Sequence, residues 1–380
     1  RYVATGSLWK MGDMFQLSVE LYDTKDKKIV WSDRWQEDWD NLPSIKGSLS
    51  DALLKALDTT SKVEKTVETT NTEAYEYYLK GKYQWEKREN MEDTVIARGM
   101  LNKALDLDNS LFYAKVWLGW TYYETGDYDL AMEMLTPSLQ QAEELCDKYA
   151  IGRTLITIGA VHFDKGDYDK ALDCANCSLI ICEEVEDKPG IGWSLDRIGS
   201  VYDRKGDYDK ALDYYVRSLK ISEELGDKFG MGVSLHNIGN VHWSDYDKAL
   251  DYYERSLTIK EEIGDKSGIG KSLNNIGNVH SSKGDYNKAL DYYVRSLKIS
   301  EELGDKLGIG ISLDNIGIVH TDKGEYEKAL DYYERALAIK EEIGDKRGMG
   351  RSLLSIGHMH WNKGDYEKAL EYLEKSLSIQ

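Results

Sequence analysis

One heptapeptide, written out again and again, decides what this chain can fold into. GDYDKAL or a near copy occurs six times from Gly126 onward with its glycine, and once more without it as DYDKAL from Asp245. Its alanine falls at Ala131, Ala171, Ala211, Ala249, Ala289, Ala329 and Ala369, in steps of 40, 40, 38, 40, 40 and 40 residues. The short step arises where VHWSDYDKAL lacks the Lys-Gly of the neighbouring turns, and Ala97 precedes Ala131 by 34. A fixed period in this range marks an array of supersecondary units, each burying its apolar face against its neighbours.

Each unit predicts two amphipathic helices. The first reads like SLNNIGNVHSSKG, with Leu273, Ile276 and His280 three and four apart on one face. After a Lys-Gly-Asp-Tyr turn comes a longer helix, in which Ala289, Leu290, Tyr293, Leu297 and Ile299 form the apolar stripe. Gly304 suits a C-terminal position of positive φ, and Asp305 is placed to cap the next helix. A second period overlies the first. VRSLKISEELGDK stands at Val216 and Val294, whereas ERSLTIKEEIGDK and ERALAIKEEIGDK stand at Glu254 and Glu334, as if units had duplicated in pairs.

The joint itself imitates a nucleotide site. GDKSGIGKSL, residues 264–273, contains the Gly-Lys-Ser of a phosphate-binding loop. That loop needs a glycine five residues before Gly270, where this chain has Asp265, whose charge would repel phosphate. The sister joints at Gly226, Gly304 and Gly344 drop the Gly-Lys-Ser altogether. They are copies of a structural connection.

At this point the pattern Leu235, Ile238, Gly239, His242, Ala249, Tyr253, Ser256 resembles the tetratricopeptide repeat (TPR). The resemblance covers residues 73–380 as eight motifs. The first unit is similar to the 34-residue form, and the later ones to a 40-residue variety found in adaptors that bind regulator peptides in cell polarity. It implies a mainly α fold, an α-solenoid wound as a right-handed superhelix with a concave groove. No unit carries the usual closing proline; the longer helix and the Gly-Asp joint stand in its place.

Residues 1–60 read differently. YVATGSLWKM, MFQLSVELYD and KIVWSDRWQE alternate apolar and polar residues, with turns at Gly12-Asp13 and over 24–27, and a helix is predicted over 42–57. This succession resembles the C-terminal half of a TolB-like domain, which often precedes TPR arrays in bacterial signalling proteins, some with cyclase or kinase regions upstream. Three strands and one helix are marginal alone, so further chain or a partner is expected to complete the sheet. The polar stretch 61–72 reads as a linker, ending in a helix cap at Thr72.

Several constellations imitate catalytic or metal chemistry. His162, His242, His280, His320 and His360 share one repeat position, with Tyr202 filling it once. Successive members lie about two helix contacts of 8–10 Å apart, too far to share one ion, so the column is expected in the core. Cys174 and Cys177 form a lone CxxC whose counterparts are Tyr214 and Arg217. Such a motif without a second pair does not make a zinc site. Glu261-Glu262 and Glu301-Glu302 are expected on solvated faces, pairing with lysines four residues away. No nucleophile–base–acid set emerges, so the reading is non-enzymatic, with no cofactor and no metal.

In peptide-binding TPR proteins, positions two before and one after the signature glycine face the groove. Here those are Asn237 and Asn240, Asn275 and Asn278, then Asn315 before Ile318. Asparagine both donates and accepts, so the ladder suits an extended peptide backbone, although asparagine is also common in generic repeats. Flanking groove positions are His236, Asn274, Lys271, Asp314, Arg351 and Arg197. The cations are too few and scattered to predict a carboxylate clamp.

Charge bounds the partner. With 49 Lys+Arg against 68 Asp+Glu the net charge is −19, which argues against nucleic acid. No apolar run reaches membrane-spanning length. The four cysteines fall in helical segments, favouring reduced thiols and a cytoplasmic setting. The opening RYVATGS lacks a methionine, leaving room for chain before Arg1. The closing SLSIQ leaves Leu373, Leu377 and Ile379 without a capping helix, which suits a homo-oligomer or larger assembly. The function expected is a scaffold holding a protein or peptide partner; the alternative is the regulatory region of a larger signalling enzyme.

Overall fold

The computed structural model describes residues 2–11, 14–23, 28–38, 71–86 and 91–379. The helix predicted over 42–57 and residues 61–70 of the linker lie outside the described residues. The chain divides between Gly190 and Ile191 into two compact units.

The first unit opens with β1 (Tyr2–Met11), β2 (Met14–Asp23) and β3 (Lys28–Asp38). They form an antiparallel meander in which Leu17 stands opposite Leu8 and Trp35. Period-two alternation puts Phe15, Leu17, Val19 and Leu21 on one face. Phe15 is fully buried in a cluster with Tyr75, Tyr78, Leu101, Leu111 and Leu118, so helices cover that face of the sheet. Those helices are α1 (Thr72–Glu86), α2 (Met91–Leu107) and α3 (Phe112–Glu124), followed by α4 (Tyr128–Glu144), α5 (Lys148–Asp164) and α6 (Tyr168–Glu184). The cap of α1 is Asn71 rather than Thr72: Asn71 Oδ1 accepts from the Ala74 amide at 3.1 Å. Both residue types suit the position, and the chain bends one residue earlier than the apolar pattern suggests.

The division falls inside α7 (Lys188–Arg204). The second unit continues with α8 (Tyr208–Leu225), α9 (Lys228–Val241), α10 (Tyr246–Ile263), α11 (Lys266–Ser282) and α12 (Tyr286–Leu303). It closes with α13 (Lys306–Asp322), α14 (Tyr326–Ile343), α15 (Lys346–Asn362) and α16 (Tyr366–Ile379). Odd-numbered helices from α3 onward are the first of each pair (helix A), even-numbered ones the second (helix B). The whole is an α-solenoid of helix pairs with a small N-terminal strand segment.

Helix B of one repeat buries its stripe under helix A of the next. Ala249 and Tyr253 of α10 meet Ile276 and Val279 of α11, and Ala329 and Tyr333 of α14 meet Ile356 and Met359 of α15. Within one repeat, helix A and helix B approach closely enough to require glycine. A Cβ on Gly277 would lie 2.6 Å from the Tyr293 ring, well inside van der Waals contact.

The joints behave as their sequence predicts. Gly226, Gly264, Gly304 and Gly344 adopt φ of 67°, 71°, 65° and 69°. Asp305 caps α13 by accepting from the Gly308 amide at 3.0 Å. In the first unit the same position is held by Cys146 and Glu186 at φ 52° and 56°, a conformation in which side chains other than glycine are strained.

Exposed charges form rungs between repeats. Lys228 pairs with Glu262 at 2.8 Å and Lys266 with Glu302 at 3.9 Å. The expected pairing of these glutamates with lysines four residues away is thus replaced by pairing with the first lysine of the preceding joint. Exposed pairs of this kind contribute about 0–1 kcal/mol each.

Candidate functional site

The residues expected to line a groove lie on helix A of the second unit. Arg197 is on α7; His236, Asn237 and Asn240 are on α9; Lys271, Asn274, Asn275 and Asn278 are on α11; Asp314 and Asn315 are on α13; Arg351 is on α15. Lys271 and Arg351 are exposed and the others half-buried.

The asparagines are engaged with one another and with the repeat next door. Asn237 Nδ2 donates to both carboxylate oxygens of Asp196, at 3.2 and 3.1 Å. Asn275 Nδ2 donates to His236 Nε2 and to Asn240 Oδ1, each at 3.1 Å. Asn240 Oδ1 also accepts from the Tyr253 hydroxyl at 2.8 Å, and Asn278 Oδ1 from the Tyr293 hydroxyl at 2.7 Å. Asn274 Nδ2 donates to Ser296 Oγ at 2.7 Å and Ser312 Oγ at 3.1 Å, while its Oδ1 accepts from Asn315 Nδ2 at 3.3 Å. Much of the ladder's hydrogen-bonding capacity therefore stitches repeat to repeat.

Three helix A registers, some of whose members are these staples, change from repeat to repeat. Val233, Lys271, Ile311 and Arg351 occupy one register; His236, Asn274, Asp314 and Leu354 a second; Asn240, Asn278, Ile318 and His358 a third. Ile318 is 45% exposed and Leu354 41%.

Beneath this face lies a feature that sequence reasoning missed. One helix B position, otherwise apolar in its surroundings, holds Ser222, Lys260, Ser300 and Lys340 in successive repeats. Lys260 and Lys340 are 4% and 1% exposed. Lys340 forms an ion pair with Asp314 and donates to Ser352 Oγ at 2.8 Å, and Ser352 Oγ donates to Asp314 Oδ1 at 3.0 Å. Lys260 repeats only half of this arrangement, donating to Ser272 Oγ at 3.1 Å, because its repeat has His236 where Asp314 stands. Burial pushes the Lys260 ammonium down to about 8; Asp265 opposes the shift and Lys271 adds to it. Burial likewise holds His236 well below its ordinary value, with Lys260 and Lys271 acting in the same direction. The converse mismatch occurs at Asp196, whose repeat has Ser222 in place of lysine. Burial raises its carboxyl to about 6, against Arg197, Asn237 and Ser234. The signal was the alternation of SEEL with KEEI, legible only once the position is known to be buried.

The histidine column packs. His242, His280, His320 and His360 stack on Tyr252, Tyr292, Tyr332 and Tyr372 at ring-centroid distances of 5.5, 5.5, 5.4 and 5.5 Å. Tyr202 stacks on Tyr214 in the same way, at 5.7 Å. Arg255, Arg295 and Arg335 cover the tyrosine rings at 5.4, 5.4 and 5.3 Å. Of the CxxC, Cys174 is half-buried and Cys177 exposed, and burial pushes the Cys174 thiol up to about 11, away from the reactive thiolate. Among the described residues, no group of three or more His, Cys, Asp or Glu is placed to hold a metal ion. No described helix is long and apolar enough to cross a membrane. Leu373 lies over Gly357 within its own repeat, and Leu377 is 72% exposed.

Comparison with known proteins gives this geometry a context. The sequence profile of the tetratricopeptide repeat matches residues 110–179, 150–224, 204–262, 230–302, 268–342 and 308–380. No curated protein matches the chain. A Rap protein complexed with Competence and Sporulation Factor is similar in fold, with a TM-score of 0.64, 16% identity, and 89% of this chain and 92% of that one covered. The apo quorum sensor NprR from B. thuringiensis gives a TM-score of 0.62 at 14% identity, covering 90% of this chain and 96% of that one. A signal-transduction ATPase with a tetratricopeptide repeat sensor, from Pyrococcus horikoshii, gives 0.55 at 15% identity; the match covers 81% of this chain and 52% of that one.

Proposed function

Because the chain belongs to the tetratricopeptide repeat family, we propose that it is a non-enzymatic interaction scaffold whose second unit holds a partner peptide along its helix A face. One observation carries this reading. Neighbouring repeats share most of their packing residues and differ at three helix A registers, where Lys271, Ile311, Ile318, Arg351 and Leu354 are exposed, a variation that internal stacking does not require. That face mixes exposed apolar anchors, Ile318 and Leu354, with the exposed cations Lys271 and Arg351. Such a mixture is typical of binding surfaces. The likeness to a Rap protein solved with Competence and Sporulation Factor agrees with a bound partner. At 16% identity it speaks for the fold alone, so partner chemistry must come from this chain's own side chains.

The test is capture by immobilised protein. Ile318→Glu with Leu354→Glu changes the face without cutting the asparagine staples. The reading predicts loss of the proteins retained by the wild type; an unchanged set would refute it.

A second reading is favoured by the likeness to an ATPase whose repeats are named a sensor. In it this array, with a TolB-like segment ahead of the repeats, regulates a cyclase- or kinase-type catalytic domain elsewhere in the polypeptide. A catalytic domain in frame upstream of Arg1 supports it, and a start codon immediately before Arg1 ends it.

A further inference from the structure

We propose that the repeat of α9 and α10 is a hinge, the point at which the second unit opens locally while the repeats on either side stay folded. The inference goes beyond the scaffold reading and does not depend on it.

Four observations converge on this one repeat. Its first helix, α9, has 14 residues where α11, α13 and α15 each have 17, because the turn after it lacks the Lys-Gly of its neighbours. That turn lysine elsewhere ties a repeat to the one before it: Lys283 meets Asp247 at 2.8 Å and Lys363 meets Glu327 at 2.7 Å. Asp209, at the matching place on α8, has no such lysine in the following turn. Lys323 forms no such rung either, but there Asn287 replaces the acid and leaves no unmatched charge. The shortened turn also uncovers a ring. Tyr168, Tyr286 and Tyr326 are half-buried, whereas Tyr208 is 56% exposed, close to the 60% of Tyr366 on the last described helix. Finally, the interior of this repeat holds Lys260 without a carboxylate, donating to Ser272 Oγ at 3.1 Å, and the buried Nδ1 of His236 has no hydrogen-bond partner. Closing the repeat takes both groups out of water without full replacement, and opening returns them to it. In an array held by nearest-neighbour contacts such a weakness stays local. The asparagine staples are kept: Asn237 still reaches Asp196, and Asn275 reaches His236 and Asn240. They run along helix A, so the repeats stay joined on that side while the helix B side parts.

The test is amide hydrogen exchange of the full chain, read by mass spectrometry. YDKALDYYERSLTIKEEI of α10 and YEKALDYYERALAIKEEI of α14 are similar enough for their unprotected rates to match, yet distinct in mass. A uniform array frays from its ends and protects its interior most, so α10 would exchange more slowly than α14. The hinge predicts the reverse, with α10 exchanging about tenfold faster or more. Inserting Lys-Gly between Ser244 and Asp245 restores the turn, and His236→Asp gives Lys260 its carboxylate. Each should slow exchange in α10 by about tenfold, or roughly 1.4 kcal/mol of local opening, and leave α14 unchanged. Exchange in α10 equal to or slower than in α14 overturns the hinge. So does exchange in α10 that His236→Asp leaves unmoved, a variant that keeps the native turn and serves if the insertion fails to fold.

Discussion

The repeat ending in α14 and the repeat ending in α10 share their packing residues and treat the same buried position in opposite ways. Both place a lysine under helix A, at 1% and 4% exposure. In the first, Asp314 neutralises Lys340. In the second, His236 faces Lys260 and offers no charge. The difference teaches that near-identical repeats do not have near-identical energetics: one substitution turns a matched buried pair into an uncompensated ammonium. Burying a charge is tolerable only when a partner replaces the water it loses.

The largest effect should come from breaking the matched pair. Lys340→Met leaves Asp314 half-buried without its ammonium and is expected to cost about 3 kcal/mol in urea denaturation. Next comes repair of the unmatched repeat: His236→Asp should stabilise by about 2 kcal/mol by giving Lys260 a charged acceptor. Deleting the unmatched charge is a smaller gain. Lys260→Met should stabilise by about 1 kcal/mol at pH 7, and its pH dependence has a defined sign. With a folded value near 8 against the ordinary lysine value of 10.5, the unfolded chain binds the extra proton between those limits. Wild-type stability should therefore rise with pH across that window, and the rise should flatten in Lys260→Met. An effect of the opposite pH sign concerns Asp196, the acid without a lysine. Its folded value near 6 against 3.8 means that the folded state holds the extra proton, so stability rises as pH falls from 6 toward 4. Asp196→Asn should remove that slope, read as a shift in melting temperature between pH 6 and pH 4.

Much of this fold was legible in the sequence. Period and apolar spacing placed the helix pairs, Gly304 and Asp305 announced the joints, and alternation found three strands. The histidine column reads as packing because the position takes His or Tyr, and His242, His280, His320 and His360 stack on tyrosines. What could not be read was where polar side chains spend their hydrogen bonds. Asn240 and Asn275 look like free amides on one helix face, yet each meets a partner 35 or 39 residues away, across an interface that the linear pattern does not describe. Lys260 was invisible for a related reason. It follows Ile259 and precedes Glu261-Glu262, so linear context reads it as solvated, while the stacking of α11 onto α10 buries it. The cap of α1 moved by one residue because Asn71 and Thr72 have similar capping chemistry.

The contrast between the two repeats is tested most directly by changing Lys260 to Met in two backgrounds, wild type and His236→Asp, and measuring unfolding free energy at pH 7. Loss of the lysine should stabilise the wild type and destabilise the variant, a reversal of sign with a coupling of about 2 kcal/mol or more. The same sign in both backgrounds would contradict the account.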